Sequence, residues 1–246
     1  MNILLVNDDG INEKAMHILA KKLTKYGNII ICVPDCGRSG SSHSITLHQP
    51  ITFRYEKEIN NMRCYSISST PADCVRMATD ILGVSFDMVI SGVNNGLNLG
   101  TDIIYSGTVA AAMEGHILGF KSVAISMDVD CYNMIEQEID SLLEFIFVND
   151  LPSNEYILNI NFPSKNFSFS KGIKIGTMGV KKFKSSFKRI ADDRYIESDF
   201  QISYDSNPDT DVNLCKNGFI SIVPLQLEQT ANDFVNKLKN IVKMYC

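Results

Sequence analysis

The chain has no tryptophan, and none of its seven cysteines falls in a C-x-x-C pair. An odd set of thiols (Cys32, Cys36, Cys64, Cys74, Cys131, Cys215 and Cys246), mostly in apolar runs, does not suit a disulfide framework. It suits reduced thiols, and a cytoplasmic location is expected. No uninterrupted apolar stretch approaches the ~18 residues of a membrane-spanning helix, and no charged leader precedes a long apolar segment at the N-terminus. Neither membrane insertion nor export is expected. Positive charge is also scarce: 23 Lys and Arg against 28 Asp and Glu leave a net charge of −5. That balance argues against a nucleic-acid duplex as partner, which calls for a basic face. The one basic cluster, Lys181, Lys182, Lys184, Lys188 and Arg189, is local and is followed by Asp192, Asp193 and Glu197. It reads as a solvated loop.

What is there begins with the first ten residues, Met1-Asn-Ile-Leu-Leu-Val-Asn-Asp-Asp-Gly10. The apolar run Ile3 to Val6 reads as a short strand buried on both faces, ending on two adjacent carboxylates. An unpaired buried charge is very costly, so Asp8 and Asp9 belong at a strand's carboxyl end, where open α/β sheets bind ligands. Two carboxylates held close together repel unless a cation lies between them. A metal site is one reading. The other is a helix start with Asp9 as N-cap and Asp8 exposed.

Apolar residues Ala15, Ile18, Leu19 and Leu23 mark one face of a helix from Lys14 to Tyr26, and Asn28 to Val33 reads as a second buried strand. This β-α-β unit predicts a parallel sheet with a right-handed crossover. The loop from Pro34 to Ser44, rich in small and hydroxyl residues, leaves the same rim as the aspartates. Ile45–Tyr55 and Met62–Ile67 look like extended segments of an antiparallel excursion. Thr70-Pro71-Ala72-Asp73 has the form of a helix start, with Thr70 as N-cap. Phe86 to Ile90 is a further short strand that runs into a glycine- and asparagine-rich loop, Ser91 to Gly100. A helix after Thr108, a strand over Ser122–Ser126, a helix over Tyr132–Val148 and a strand over Tyr156–Ile160 complete a doubly wound α/β pattern. The expected fold class is a Rossmann-like α/β core over residues 1–165, built on a mostly parallel sheet. From residue 166 to 246 extended segments (Ile173–Thr177, Tyr195–Tyr204, Phe219–Val223) precede a helix from Thr230 to Met244. That part reads as a β-rich C-terminal arm suited to reaching a partner subunit.

The polar residues expected on the carboxyl rim are Asp8, Asp9, Ser39, Asn94, Asn98, Ser106 and Thr108. Their ligand atoms are hard oxygens, which select Mg²⁺, Mn²⁺ or Ca²⁺ over zinc or copper. The Ser106-Gly107-Thr108 run opening a helix offers hydroxyls and backbone N–H groups to a phosphate. Metal and phosphate cradle together point to phosphate-ester hydrolysis. His17 and His116 fall in expected helices and read as structural. His43 and His48 lie nearer the rim, and a catalytic part is not expected of them. Arg38 has phosphate or Asp35 as candidate partners.

Five blocks taken together resemble the SurE family of stationary-phase survival proteins: Asn7-Asp8-Asp9-Gly10, Arg38-Ser39-Gly40, Thr70-Pro71-Ala72-Asp73-Cys74, Ser91 to Gly100, and Tyr105-Ser106-Gly107-Thr108. Asn159-Ile-Asn161-Phe-Pro163, Thr210-Asp211 and Gly218 to Leu225 fit as well. The resemblance implies a nucleotidase that releases phosphate from nucleoside 5′- or 3′-monophosphates with one divalent ion per subunit, Mg²⁺ or Mn²⁺ foremost. It implies Asp8, Asp9, Ser39 and Asn94 as metal ligands, with Asn98, Ser106, Gly107 and Thr108 bordering the phosphate. Dimers or tetramers built through the C-terminal arm are implied too. Departures from the family pattern are Ala15 and Ser69 in place of glycine, Met178 where an arginine is common, and Asn232 where some members carry histidine. None touches the implied ligands.

On that reading water activated at the metal attacks phosphorus, Asp8 or Asp9 orients or deprotonates it, and Ser106 and Thr108 stabilise the developing charge. An aspartyl-phosphate route is the competing mechanism. Two other classes compete with the enzyme: a receiver-like Mg²⁺-binding signalling module, and a nucleotide sensor without turnover. A receiver needs an aspartate roughly 45 residues after the acid pair, where this chain has Phe53-Arg54-Tyr55-Glu56.

Overall fold

The computed structural model describes residues 1–204 and 206–243, apart from the side chains of residues 199–201 and 243. Strand β1 (Asn2–Val6) lies at the centre of the sheet. Its side chains alternate between two cores, the strand period of two at work. Ile3 and Leu5 join the larger core, packed under helices α1 (Lys14–Leu23) and α4 (Tyr132–Val148). Leu4 and Val6 join the opposite one, against α2 (Pro71–Ile81). A strand covered on both faces needs an unbroken apolar run, which Ile3 to Val6 supplies.

β1 pairs in parallel with β2 (Asn28–Pro34) on one side and β5 (Met88–Asn95) on the other. Beyond β2 come β4 (Met62–Ile67), also parallel, and β3 (Phe53–Ile59), antiparallel at the edge. The antiparallel excursion expected over residues 45–67 is therefore an extension of the main sheet, and residues 45–52 are outside any strand. Beyond β5 come β6 (Lys121–Met127) and β7 (Ile157–Asn161), both parallel to it. Then β11 (Ile220–Leu225) runs antiparallel to β7 and parallel to β8 (Ile173–Ile175). The order β3-β4-β2-β1-β5-β6-β7-β11-β8 makes a nine-stranded, mostly parallel α/β sheet with helices on both faces. β8 and β11 lie beyond residue 165 yet are strands of this sheet.

Helix α3 (Gly107–Ile117) packs beside α2 and under β5 and β6. The expected cap of α2 is present: Thr70 Oγ1 accepts from the Asp73 backbone N–H at 3.2 Å, with Pro71 at the first helical position. Helix α1 has Glu13 as its N-cap, so Asp9 is free of that duty. A short helix α5 (Asp211–Lys216) precedes β11.

The basic cluster is a strand, contrary to the loop reading. β9 (Lys181–Ala191) pairs antiparallel with β10 (Arg194–Tyr204) as a two-stranded ribbon apart from the main sheet. Its side chains are nearly all exposed, so no apolar alternation announces it; its cross-strand pairing with β10 holds it extended. Helix α6 (Asn232–Lys243) ends the described chain, with Phe234, Leu238, Ile241 and Val242 exposed. Met244, expected as the last helical residue, and Cys246 lie outside the described residues. The other six cysteines are free thiols.

Candidate active site

After β1 the chain leads on to α1 and β2 on one side; β5 lies on the other, fed from β4 by way of α2. The order of strands reverses at β1/β5, and the carboxyl ends of these strands open a crevice there. Asp8 and Asp9 follow β1 directly. The turn that aims them is built locally: Asn7, fully buried, donates from Nδ2 to Gly10 O at 2.9 Å and accepts from Gly10 N at 3.0 Å. Gly10 adopts φ +93°, a conformation side-chain-bearing residues rarely take.

β5 runs on past Ile90 through Asn95, with a break in register between Ser91 and Asn94. The composition of Ser91-Gly92-Val93-Asn94 is that of a turn and predicts an end at Ile90, whereas the pairing with β6 carries the strand on. Asn94 Nδ2 donates to Gly96 O at 2.7 Å, which leaves its Oδ1 as the free acceptor. The loop beyond is held from β7: Asn98 N donates to Asn161 Oδ1 at 2.8 Å, and Asn98 O accepts from Asn159 and Asn161 Nδ2, both at 3.0 Å. Asn98 Nδ2 donates to Ser126 Oγ at 2.8 Å.

Helix α3 starts at the same crevice. Ser106 is its N-cap and accepts from Val109 N at 3.0 Å. The first-turn N–H groups have no acceptor within the helix. Thr108 Oγ1 donates to Asp8 Oδ1 at 2.6 Å. Gly107 permits close approach: a Cβ there would lie 2.9 Å from Ser41 Oγ and 3.0 Å from Asp8 Cβ. The loop after β2 is drawn in by Arg38 N, which donates to Asp8 O at 2.7 Å, and it leaves Ser39 exposed. Arg38 pairs with Asp35, Nη2 to Oδ1 at 3.4 Å.

These segments surround a cleft of about 630 Å³. Asp8, Ser39, Asn94, Asn98 and Ser106 line it. Thr108 and Gly107 stand immediately behind Asp8, and Asp9 lies beside Asn95, whose N–H donates to Asp9 Oδ2 at 3.4 Å. All eight residues singled out in the sequence thus meet at one place. Neither His43 nor His48 is among the cleft-lining residues.

The sequence reading missed the outer wall. Asp102, Tyr105, Phe183, Ser185 and Glu197 also line the cleft, the last three from the β9–β10 ribbon. Lys181 pairs with Asp102, and Thr101 Oγ1 donates to Lys181 O at 2.6 Å, so the ribbon's base is fixed to the loop after β5. Asp211 adds a tie that carries no local signal. Buried at 1% exposure, it accepts from Gly100 N (2.8 Å), Gly179 N (2.9 Å) and Val212 N (2.8 Å).

The acid pair is electrostatically uneasy. Burial pushes Asp8 above the ordinary carboxylate range against the pull of Thr108. Burial, then the Asp8 charge beside it, pushes Asp9 up to about 6. Among the described residues no group of three or more His, Cys, Asp or Glu side chains is placed to hold a metal ion. The available donors are two carboxylates, a hydroxyl and an amide oxygen, a set that fits a hard divalent cation and not zinc or copper. A divalent charge between the carboxylates would also relieve their repulsion.

The family profile described as "Survival protein SurE" matches residues 3–185. A 5'-nucleotidase SurE of Clostridium botulinum (strain 657 / Type Ba4) is 39% identical over 239 residues, covering 94% of both chains. One from Alkaliphilus metalliredigens (strain QYMF) is 35% identical, covering 98% of both. The crystal structure of Sure protein from Aquifex aeolicus superposes with a TM-score of 0.81 at 30% identity, covering 98% of this chain and 99% of that one. By fold, by motif order and by full-length similarity, the chain belongs to the SurE family.

Proposed function

We propose that the chain is a divalent-metal-dependent phosphomonoesterase that hydrolyses nucleoside 5′-monophosphates to nucleoside and phosphate. The observation that carries this reading is the convergence, at one switch point, of an acid pair, an exposed serine, an oriented amide oxygen and a helix N-terminus. Curated relatives over nearly the whole length are named 5'-nucleotidase, which supports the same activity here.

Asp8, Asp9, Ser39 and Asn94 would hold the cation, Mg²⁺ or Mn²⁺ by the hardness of their oxygens. When bound, such an ion supplies Lewis-acid polarisation of the phosphate and a more acidic water. The chain's own groups do the rest. The N–H groups of Gly107 and Thr108 at the start of α3 meet the phosphate oxygens, and Ser106 and Asn98 border them. The Thr108 hydroxyl proton is committed to Asp8, so this residue serves the phosphate through its backbone and the carboxylate through its side chain. Asp9, with one backbone partner at 3.4 Å, has a free oxygen to take a proton from the attacking water. Tyr105, Phe183 and Glu197 are set for the nucleoside, an apolar wall with a polar edge.

Exposed Phe187, Ile190, Tyr195 and Ile196 on the ribbon, with the bare apolar side of α6, supply a surface for assembling a homodimer or homotetramer. The expected nucleotide partner needs no membrane, and among the described residues no helix is long and apolar enough to cross one. The test is phosphate release from a panel of nucleoside 5′- and 3′-monophosphates by chelator-treated protein, with and without added Mn²⁺ or Mg²⁺. Turnover that requires the ion is expected. Binding without release would favour the sensor reading and overturn this one. The stereochemistry at phosphorus separates the mechanisms: inversion in hydrolysis of a chirally labelled phosphate ester supports direct attack, and retention, or ¹⁸O from water in an aspartate side chain after a single turnover, refutes it.

A further inference from the structure

Glu114 is a carboxylate that the chemistry above does not use. It lies on α3, six residues beyond Thr108, and is only 8% exposed among Val109, Ala110, Ala111 and Ala112 of the same helix. A charge so placed must be paired. One oxygen, Oε2, is 2.8 Å from His43 Nε2. The other, Oε1, is 3.6 Å from Arg76 Nε. Arg76 reaches on to Asp73 Oδ1 at 3.1 Å, and Asp73 Oδ2 accepts from Thr46 N at 2.8 Å and Ser69 Oγ at 2.6 Å.

The residues held here, His43 and Thr46, belong to the loop that presents Ser39. That loop cannot hold its own shape: Gly40 has φ +72° and Ser42 φ +53°, the latter unfavourable for a side-chain-bearing residue unless its surroundings impose it. Its near end is fixed to the site by Arg38 N to Asp8 O, and its middle by Ser42 N to Tyr105 O at 3.0 Å. Its far end is fixed by Thr70 Oγ1 to Ser44 O at 2.7 Å. His43 is the one side chain of residues 40–43 with a charged partner. Helix α3 therefore touches both halves of the cation site. Thr108 fixes Asp8, and Glu114, about 9 Å further along at 1.5 Å per residue, fixes the loop bearing Ser39.

We propose that Glu114 is a positioning residue for the cation site, steadying the turn that follows Ser39 through its hydrogen bond with His43. The inference rests on the reading that Ser39 and Asp8 share a divalent ion. Removing His43 leaves the loop attached at Arg38, Ser42, Ser44 and Thr46, so the fold stands while the turn after Ser39 loses its one charged tie. Groups bonded directly to metal ligands are typically worth about 10–100-fold in affinity, and Glu114 acts one link further out, so the lower end applies.

The experiment is calorimetric titration of the chelator-treated full-length protein with Mn²⁺, alongside its melting temperature. His43→Ala is expected to weaken Mn²⁺ binding by about 10-fold, the lower end for groups behind metal ligands, to lower the melting temperature by a few degrees because Glu114 keeps only Arg76 as a charged partner, and to speed amide hydrogen exchange at Ser41 and Ser42. His43→Gln, which keeps a side-chain N–H donor toward Glu114, is expected to restore most of the affinity. Glu114→Ala should weaken binding at least as much, and His43→Ala carries the test should Glu114→Ala not fold. Mn²⁺ binding by His43→Ala as tight as the parent's, or His43→Gln as weak as His43→Ala, overturns the proposal and leaves the metal reading standing. A parent chain that binds no Mn²⁺ or Mg²⁺ overturns the metal reading, and this inference with it.

Discussion

Asp9→Asn should make the metal-free protein more stable and the enzyme nearly inactive. In the folded chain Asp9 titrates at about 6 against an ordinary 3.8. At about 1.4 kcal/mol per tenfold change, ionising it in place costs about 3 kcal/mol as a ceiling. Water reaches this half-buried carboxylate and screens it, so about 1–2 kcal/mol is the working figure. The sign follows from proton counting. Between pH 3.8 and about 6 the folded chain holds a proton that the unfolded chain has released, so metal-free stability falls as pH rises through that window. Above it the penalty is constant, and at pH 5 it is about half developed. Asparagine keeps an oxygen for the Asn95 N–H and removes the charge. In chelator at pH 7.5 the variant should therefore melt about 2–8 °C higher than the parent, at 2–4 °C per kcal/mol for a chain of this size. The gap should shrink at pH 5 and close or reverse when Mn²⁺ stabilises the parent preferentially. Scanning calorimetry at the two pH values with and without Mn²⁺ reads all of this, and phosphate release reads the activity. An unchanged or lower melting temperature in chelator, with activity retained, would refute the reasoning.

Three further substitutions probe the surroundings. Thr108→Val leaves Asp8 Oδ1 without its hydroxyl donor; a loss of about 1–3 kcal/mol in urea denaturation and a kcat at least ten-fold lower are expected, and a parent-like kcat would free Asp8 from this dependence. Asp211→Ala strands three buried N–H donors, those of Gly100, Gly179 and Val212, at a cost of about 3 kcal/mol or more by denaturant titration; a loss under 1 kcal/mol would show that water replaces the carboxylate. Phe183→Ala removes an aromatic face worth about 0.5–1.5 kcal/mol, so KM for a nucleotide should rise about 2–12-fold while kcat holds and hydrolysis of a small non-aromatic phosphate ester is unaffected.

Much of the core was legible because its signals are local. Ile3 to Val6 is apolar on every residue since both faces of β1 are covered, and Thr70-Pro71-Ala72-Asp73 caps α2 within four residues. The rim residues were legible because a strand's carboxyl end is a fixed address in a parallel sheet. What escaped depends on partners far along the chain. β9 carries lysines and serines on both sides, and only its pairing with β10 makes it a strand. β5 looks like a loop after Ile90 because Ser91-Gly92-Val93-Asn94 has no apolar run, and it is the pairing with β6 that makes the stretch a strand. Six-residue α5 is too short for a 3.6-residue period to show, so Asp211 carried a family motif without a discernible task.

Those distant ties explain how an exposed ribbon becomes part of a site. Phe183 and Glu197 reach the cleft from a ribbon with no core of its own, so their position is only as fixed as the ribbon's base. Asp211 joins Gly179, just before β9, to Gly100 at the end of the asparagine loop, and Lys181 and Asp102 repeat the connection one step outward. The loop after β5 that supplies Asn98 is thereby clamped on one side to β7 and on the other to the ribbon. On the proposed function, a change at the ribbon's base is expected to appear in both nucleoside recognition and cation binding, whereas a change at its tip, beyond Ser185, is expected to leave Mn²⁺ affinity unchanged in calorimetric titration.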